Sequence, residues 1–241
     1  MAIIKNKNMK IEVYVLACNE EKIMPYFLRH YTQFAHIILL ESSSTDSTAQ
    51  MVSDVGGEIW HYDHPDEIND KLFLDMKNNC WKESEADWVI IADADEYVYH
   101  PDLLRILSET DSTIFLPRLF NMFTDKFPTT EGQIYEEVTG GREGGAKMNL
   151  FRPKKIREIN YAIGCHNASP QGDVRLNINS EIMTLHMRHL GSDYVIERNA
   201  RGARRLSELN KQMGWGYHVN SSAEDVITYM RNEMTGLIQV V

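Results

Sequence analysis

The sequence predicts an α/β fold in which helices flank a mostly parallel central sheet, followed by a helical C-terminal extension. Short apolar runs alternate with amphipathic segments of helical spacing from Ile11 to about residue 110, the pattern of parallel strands joined by right-handed crossovers. The chain has 241 residues, of which 43% are hydrophobic, and this is enough for one sizeable core. We therefore expect a single sheet-based domain.

The first half of the chain contains four predicted strand–helix units. β-Branched apolar runs predict buried strands at 11–17, 36–40, 58–62 and 88–92. The run WVIIA at 88–92 is continuous, as expected of a central strand that is covered on both faces. Helical spacing of apolar residues predicts the intervening helices at 21–34, 47–55, 69–84 and 101–109.

The pattern changes after the strand predicted at 113–120. Residues 124–146 are polar and rich in glycine, and we expect a mobile loop there. Short strands are predicted at 148–152, 163–166 and 181–188, and helices at 193–213 and 222–238. The predicted organisation is thus a sheet domain at 1–190 and a helical extension at 191–241 packed on the same domain.

Composition and charge restrict the class of protein. The formal net charge is −10, which argues against nucleic acid as the partner, because such binding depends on neutralising phosphates with Lys and Arg. Cys18, Cys80 and Cys165 are sparse and odd in number, which indicates reduced thiols. No secretory signal or 18-residue apolar run is evident. A cytoplasmic protein is therefore predicted.

Two carboxylates follow the apolar run at 88–92 directly. Asp93 and Asp95 are two residues apart, which in an extended chain places both side chains on one side. Ligands of open α/β sheets bind outside the carboxyl ends of the strands. Oxygen ligands at such a place suit Mg²⁺ or Mn²⁺, and a solvated turn is the alternative.

Three segments resemble the GT-A fold glycosyltransferases, particularly the family 2-like enzymes. These are VLACNEE at the end of the first strand, ESSSTDST after the second strand, and WVIIADADEYVYHP around the two aspartates. They occur in the expected order within the first 110 residues. The resemblance implies a GT-A catalytic domain at 1–190 that transfers a sugar from a nucleotide-diphosphate donor to a hydroxyl acceptor with Mn²⁺ or Mg²⁺.

The resemblance also implies roles for individual residues. Asp95 would bind the metal directly, and Asp93 would hold the ribose or reach the metal through water. Glu41 stands where the family usually has an aspartate that contacts the nucleoside. Residues of the first two segments are expected to bind the donor: Ala17, Asn19, Glu20, Glu41 and Asp46.

Histidine is the expected third metal ligand. The segment TLHMRHLGSDY resembles a late strand of several GT-A enzymes in which a histidine binds the metal, and this implies His186. His166 also ends a predicted strand and is its rival. An ordinary core or surface histidine remains an alternative for both.

Basic residues of the second half are candidates for binding phosphate. Lys147 and Arg152 flank a predicted strand and could meet the donor diphosphate. On the long predicted helix, four arginines lie opposite the apolar stripe and could clamp a diphosphate, bind an acidic acceptor or lipid head group, or form only a solvated face. They are Arg198, Arg201, Arg204 and Arg205.

The acceptor and the base are the least defined. An inverting enzyme needs a carboxylate near the acceptor hydroxyl, and Glu143 and Asp173 are the candidates. The family analogy suggests a cell-surface glycan or lipid-linked oligosaccharide, with peripheral contact at the inner membrane face. Two alternatives stay open: a catalytically inactive GT-A binding module, and a sugar nucleotidyltransferase, although the glycine-rich phosphate loop expected of the latter is missing after Ala17.

Overall fold

The computed structural model describes residues 9–62, 66–178 and 181–241. The strands, in chain order, are β1 Ile11–Ala17, β2 His36–Glu41, β3 Glu58–His61, β4 Trp88–Asp93, β5 Glu96–Tyr99, β6 Ile114–Phe115, β7 Arg118–Thr124, β8 Gly140–Ala146, β9 Leu150–Phe151, β10 Ile156–Glu158, β11 Gln171–Gly172, β12 Leu176–Asn177, β13 Met183–Leu190 and β14 Ile238–Gln239. The helices are α1 Met24–Tyr31, α2 Thr48–Asp54, α3 Asp70–Asn79, α4 Leu103–Glu109, α5 Ile134–Glu137, α6 Ser192–Arg205, α7 Glu208–Met213 and α8 Ala223–Glu233, with a 3₁₀ turn at Tyr217–Asn220.

The main sheet has the strand order β12-β6-β9-β4-β1-β2-β3. Its centre, β4-β1-β2-β3, is parallel, with crossovers through helices. The short strand β9 runs antiparallel between β4 and β6. The predicted α/β fold with a mostly parallel central sheet is confirmed. Since β1 and β4 are adjacent and parallel, Ala17 and Asp93 lie at the same edge of the sheet.

A second sheet has the strand order β14-β8-β7-β13-β5. Strand β5 begins three residues after β4 ends, so the chain passes from one sheet to the other through Ala94 and Asp95. In this sheet β13 lies between β5 and β7, and His186 is opposite Glu96 on one side and Asn121 on the other. This register carries the late strand β13 to the edge where β4 ends.

The prediction of a mobile loop at 124–146 is wrong for much of that segment. Residues 134–137 form α5, and residues 140–146 form β8, which pairs with β7 and β14. The glycines reflect close packing: a Cβ on Gly141 would lie 2.8 Å from the Met122 sulfur, and one on Gly144 only 2.4 Å from the Asn121 amide nitrogen. Glycine marks a close approach of side chains here.

The C-terminal segment also differs from the prediction. The helix predicted at 193–213 is broken at Leu206, and α7 begins after Ser207, whose side chain accepts a hydrogen bond from the Asn210 N–H at 3.1 Å. Strand β14 then pairs with β8 in the second sheet. The segment 191–241 is thus helical up to α8 and ends in a strand. No helix in the described part of the chain is both long and apolar enough to cross a membrane.

The core lies on both faces of the main sheet because alternate residues of each strand point to opposite sides. On β1, Val13 and Val15 pack with Phe27 of α1, and Tyr14 packs on the other face beside Trp81. All five side chains are buried. These two layers hold β1 and β4 rigidly, so the residues at their carboxyl ends are set on a fixed base.

His30 of α1 gives the fold a pH dependence. Its Nε2 lies 3.1 Å from the Val98 carbonyl oxygen, and burial lowers the pKa of His30 to about 4. Because the unfolded chain has a histidine pKa of about 6.5, it binds more protons than the folded protein below that pH. The free energy of unfolding therefore falls as pH drops from about 6.5 towards 4.

Urea unfolding at pH 7 and pH 5 tests this for the wild type and His30→Gln. The glutamine keeps a donor for Val98 and does not titrate. We expect the wild type to lose about 2 kcal/mol more than the variant between the two pH values. An equal loss in the two proteins would contradict a neutral buried His30.

Candidate functional site

A pocket of about 260 Å³ opens at the carboxyl ends of β1 and β4. This is the edge at which open α/β sheets bind their ligands. Its wall combines apolar side chains from α3 with charged side chains from three other parts of the chain. The lining residues used below are Ala17, Glu20, Lys77, Asp93, Arg198 and Arg205.

Asp93, the last residue of β4, is bound by two lysines. Its Oδ1 lies 2.5 Å from Nζ of Lys77 on α3, and its Oδ2 lies 3.6 Å from Nζ of Lys147. Lys147 is itself bound to both carboxylate oxygens of Glu96, at 2.6 and 2.7 Å. Burial alone would raise the pKa of Asp93, but the two lysines outweigh it and hold the pKa below its usual range. Asp93 is therefore ionised and neutralised within the protein.

Asp95 lies in the turn between β4 and β5 and is bound by an arginine from α6. The Arg198 guanidinium forms an ion pair with Asp95 and a second one with Glu20, at 2.9 Å from its Oε1. Burial opposes ionisation of Asp95, but Arg198 and then His186 favour it, and the pKa of Asp95 stays well below its usual value. Helix α6 is thus held against the end of the sheet by buried charge.

His186 of β13 faces the same carboxylate. Its Nε2 lies 3.6 Å from Oδ2 of Asp95, and its Nδ1 lies 2.9 Å from Oδ1 of Asn121. An amide oxygen only accepts hydrogen bonds, so Nδ1 carries a proton and Nε2 is the ring nitrogen that faces Asp95 and could bind a cation. This is the arrangement of an imidazole and a carboxylate that can share a cation.

The predicted metal ligands are only partly brought together. In the described residues, no group of three or more His, Cys, Asp or Glu side chains is arranged to hold a metal ion. Asp93 is turned towards its lysines, whereas Asp95 and His186 present one oxygen and one nitrogen 3.6 Å apart. Mg²⁺ sites often use one or two carboxylates and take other ligands from substrate phosphates. Asp95 and His186 fit such a cation, provided that Arg198 withdraws from Asp95.

Three of the predicted donor-binding side chains support loops in this structure. The side-chain oxygen of Asn19 accepts hydrogen bonds from the backbone N–H groups of Thr45 and Asp46, at 2.7 and 3.2 Å. Glu41 accepts from the N–H of Ser43 at 3.0 Å, and Asp46 accepts from that of Thr48 at 2.9 Å. Polar residues of this kind commonly hold turns by bonding to nearby backbone.

Of the five residues predicted in the first two segments, the other two, Ala17 and Glu20, line the pocket. The Oε2 atom of Glu20 is buried without a hydrogen-bond partner among the described residues, and Arg201 lies 3.8 Å from it. Burial raises the pKa of Glu20 more than Arg198 lowers it. Glu20 is consequently the one strand-end carboxylate in the pocket that retains an unused buried oxygen.

Arg152 lies at the wrong end of β4 to bind a donor. Its guanidinium stacks 4.1 Å from the centre of the Trp88 ring, at the start of β4, and donates to backbone carbonyls of the α4–β6 connection. Asp93 is five positions after Trp88 along the strand, a distance of roughly 16 Å. The prediction that Arg152 meets the donor diphosphate is therefore not supported by its position.

The two candidate bases do not line the pocket either. Glu143 lies on β8, where it is half-exposed and bound to Arg118 at 2.7 and 3.0 Å. Asp173 is half-exposed beside Arg175 at 3.4 Å, near the start of β6 rather than its carboxyl end. Neither carboxylate is placed to take a proton at the end of β4.

His166 is exposed and follows two residues, Gly164 and Cys165, that line the pocket. Burial of part of its ring and the charge of Lys147 lower the pKa of His166. It is therefore a neutral side chain at the rim of the pocket. Its ring does not contact Asp95, so of the two rival histidines only His186 lies beside the carboxylate.

Two basic residues, one in the pocket and one close to it, carried no signal in the sequence. Lys77 is one of several charged residues on α3, and Arg188 lies among histidines on β13. Of the four arginines on α6, three face inward: Arg198, Arg201 and Arg205 have side chains only 15%, 24% and 17% exposed. Only their ion pairs with residues more than 100 positions away in sequence, which helical spacing does not reveal, distinguish them from a solvated face.

Comparison with protein-family models and with curated proteins found no match. Among solved structures, the chain is similar to S. aureus TarS 1–349, with 16% identity, 84% of this chain and 68% of that chain covered, and a TM-score of 0.44. A TarS 1–349 complex with UDP-GlcNAc gives 15% identity, coverage of 84% and 69%, and a TM-score of 0.45.

A third similar structure is glucosyl-3-phosphoglycerate synthase from Mycobacterium tuberculosis in complex with Mn²⁺, UDP and glucosyl-3-phosphoglycerate. The two chains are 17% identical, and the matched region covers 48% of this chain and 45% of the synthase chain, with a TM-score of 0.34. The chain therefore spans less than half the length of that synthase. At these TM-scores and identities the function rests on the geometry of the site.

Proposed function

We propose that this protein is a glycosyltransferase that transfers a sugar from a nucleotide-diphosphate donor to a hydroxyl acceptor. The observation that carries the proposal is the convergence of Lys77, Arg198 and Arg205 on a pocket at the carboxyl ends of β1 and β4. Arginine forks match phosphate oxygens in a bidentate way, and lysine adds a point charge. The three segments that resemble GT-A glycosyltransferases surround the same pocket.

The pocket offers distinct walls to the two ends of a donor. Ile68, Phe73 and Leu74 supply apolar surface for a nucleoside, beside the small polar groups of Cys18 and Ser42. The basic side chains lie on the side of Asp93 and α6, where the diphosphate would bind. Sites for small molecules commonly combine an apolar wall with a few placed polar groups in this manner.

A divalent cation, Mn²⁺ or Mg²⁺, would be held by Asp95 and His186 and would stabilise negative charge on the departing nucleotide diphosphate. Asp93 then contributes through Lys77, which it holds in the pocket at 2.5 Å. Arg198 would turn from Asp95 towards the diphosphate, keeping its ion pair with Glu20. Arg198 thereby neutralises Asp95 when no donor is bound.

The acceptor that we propose is a glycan or lipid-linked oligosaccharide, met by a cytoplasmic protein at the inner face of a membrane. Neither Glu143 nor Asp173 is retained as a base. A second candidate function is a binding module for nucleotide sugars without transfer. It is favoured by the pairing of Asp93 and Asp95 with internal cations, which leaves both carboxylates satisfied without a metal.

A panel of nucleotide-diphosphate sugars, with and without Mn²⁺, tests the proposal by melting temperature and by release of the nucleotide. At about 100 times Kd, a bound donor adds about 2.7 kcal/mol, which raises the Tm by roughly 5–10 °C for a chain of this length. Binding with Mn²⁺-dependent release supports a transferase. Binding without release under any condition supports the binding module, and no shift with any donor contradicts both.

A further inference from the structure

Arg188, on β13 two residues after His186, is a cation with few partners. One of its terminal nitrogens donates to Oδ1 of Asn199 at 3.0 Å. Within the described residues, this is the single hydrogen bond of the Arg188 side chain. A guanidinium has five N–H donors, and partly buried arginines normally bind carboxylates or several carbonyls. The neutral amide of Asn199 leaves the positive charge of Arg188 without a counter-ion of its own.

The nearby carboxylates are already bound to other cations. Asp95 and Glu20 pair with Arg198, and Glu197 pairs with Lys22 and Arg201. The carboxylates that act electrostatically on Arg188, Asp95 and Glu20, are therefore shared with Arg198. The protein thus holds Arg188 charged at a cost that a bound anion would offset.

Arg188 lies outside the proposed donor pocket. It is not among the residues that line the pocket, whereas Arg198, which interacts with it electrostatically, is. The 3₁₀ turn is on the same side: the His218 carbonyl oxygen accepts from Asn199 Nδ2 at 3.4 Å, and burial with the charges of Arg188 and Arg198 lowers the pKa of His218 to about 4. Arg188 is therefore close enough to Arg198 and Asp95 to act on them electrostatically, but it is not part of the pocket wall.

We propose that Arg188 binds a negatively charged group, a phosphate or a carboxylate, carried by the acceptor. The acceptor must reach the sugar end of the donor, which lies beyond the diphosphate. Arg188 follows His186 by two residues on β13 and acts electrostatically on Asp95, and these are the two residues proposed to hold the cation. Assigning the anion to the acceptor rests on the proposed function, since that function assigns the neighbouring pocket to the donor. An exposed arginine of α6, Arg204, offers a matched control.

The test is calorimetric titration of inorganic phosphate and of acetate into the protein, alone and saturated with the nucleoside diphosphate that it binds best. The proteins compared are the wild type, Arg188→Gln, Arg188→Lys and Arg204→Gln. We expect Arg188→Gln to weaken anion binding about tenfold or more at unchanged nucleotide affinity. Arg188→Lys should recover part of the loss because it keeps the charge, and Arg204→Gln should match the wild type.

Equal anion affinity in Arg188→Gln and the wild type would overturn the proposal, as would a wild type that binds neither anion. Loss of nucleotide and anion binding together in Arg188→Gln would also overturn it, because Arg188 would then serve the donor. If no nucleotide binds, the proposed function fails by itself. The titration without nucleotide then still decides whether Arg188 binds the anion, by comparing Arg188→Gln with Arg205→Gln in the pocket.

Discussion

Replacing Arg198 with methionine is expected to lower the free energy of unfolding by about 3–5 kcal/mol. The guanidinium neutralises Asp95 and Glu20, whose side chains are only 3% and 12% exposed, so its removal leaves two buried carboxylates with too few cations. Methionine keeps the apolar stem of the side chain, so lost packing contributes little. Urea unfolding at pH 7 measures the change.

Arg204→Met is the matched control, since Arg204 is exposed on the same helix, and it should change the free energy by less than about 0.5 kcal/mol. Adding Asp95→Asn to Arg198→Met should recover part of the loss, because one uncompensated charge disappears. A loss in Arg198→Met no larger than that in Arg204→Met would contradict the view that α6 is held to the sheet by buried charge.

The second large effect is expected from Lys147→Met, again about 3–5 kcal/mol. Lys147 and Glu96 are 3% and 2% exposed and are joined by two short hydrogen bonds. Without the lysine, Glu96 is a buried carboxylate that forms no other ion pair within the described residues, whereas Asp93 still has Lys77. The substitution should therefore destabilise the fold chiefly through Glu96.

A double-mutant cycle with Glu96→Gln separates this cause from lost packing. Lys147→Met/Glu96→Gln should be more stable than Lys147→Met alone, because the glutamine carries no charge. Lys154→Met, at an exposed ion pair with Glu85, should have almost no effect. A double variant less stable than Lys147→Met would show that packing, not charge, explains the loss.

The sequence was sufficient for the centre of the main sheet and for the strand end. The runs at β1, β2 and β4 are apolar and uninterrupted, because strands covered on both faces need no polar positions. The polar residues that stop β4, Asp93 and Asp95, could accordingly be placed at the sheet edge. An apolar run and the polar residues that end it lie within one short segment, so both can be recognised in the sequence without knowledge of the fold.

Long-range pairing was beyond the sequence. Strand β8 consists largely of glycine and charged residues, and it becomes a strand through its pairing with β7 and β14, where its glycines let Met122 and Asn121 approach closely. Arg152 was assigned to phosphate binding although it stacks on Trp88 at the far end of β4. Both outcomes depend on which segments become neighbours, and periodicity within one segment carries no such information.

The site shows the same division. The inward direction of Arg198 depends on Asp95 and Glu20, both of which lie more than 100 residues earlier in the chain. Lys77 becomes part of the pocket only because α3 packs beside the end of β4. The spacing of residues along the chain predicts the carboxylates at the strand end, but the cations that neutralise them come from helices elsewhere in the sequence.

The central claim is that the basic side chains of this pocket bind a nucleoside diphosphate. The most direct test is the affinity of the best-bound nucleoside diphosphate, and of its nucleoside alone, for the wild type, Arg205→Gln and Arg204→Gln. Arg205 lines the pocket, and within the described residues its side chain is bound to Asp66, at 2.6 Å, and to the Ser42 carbonyl, at 3.3 Å. We predict that Arg205→Gln weakens binding of the diphosphate about tenfold or more and leaves the affinity for the nucleoside unchanged. Arg204→Gln should alter neither affinity. Diphosphate affinity equal to that of the wild type in Arg205→Gln would contradict the central claim.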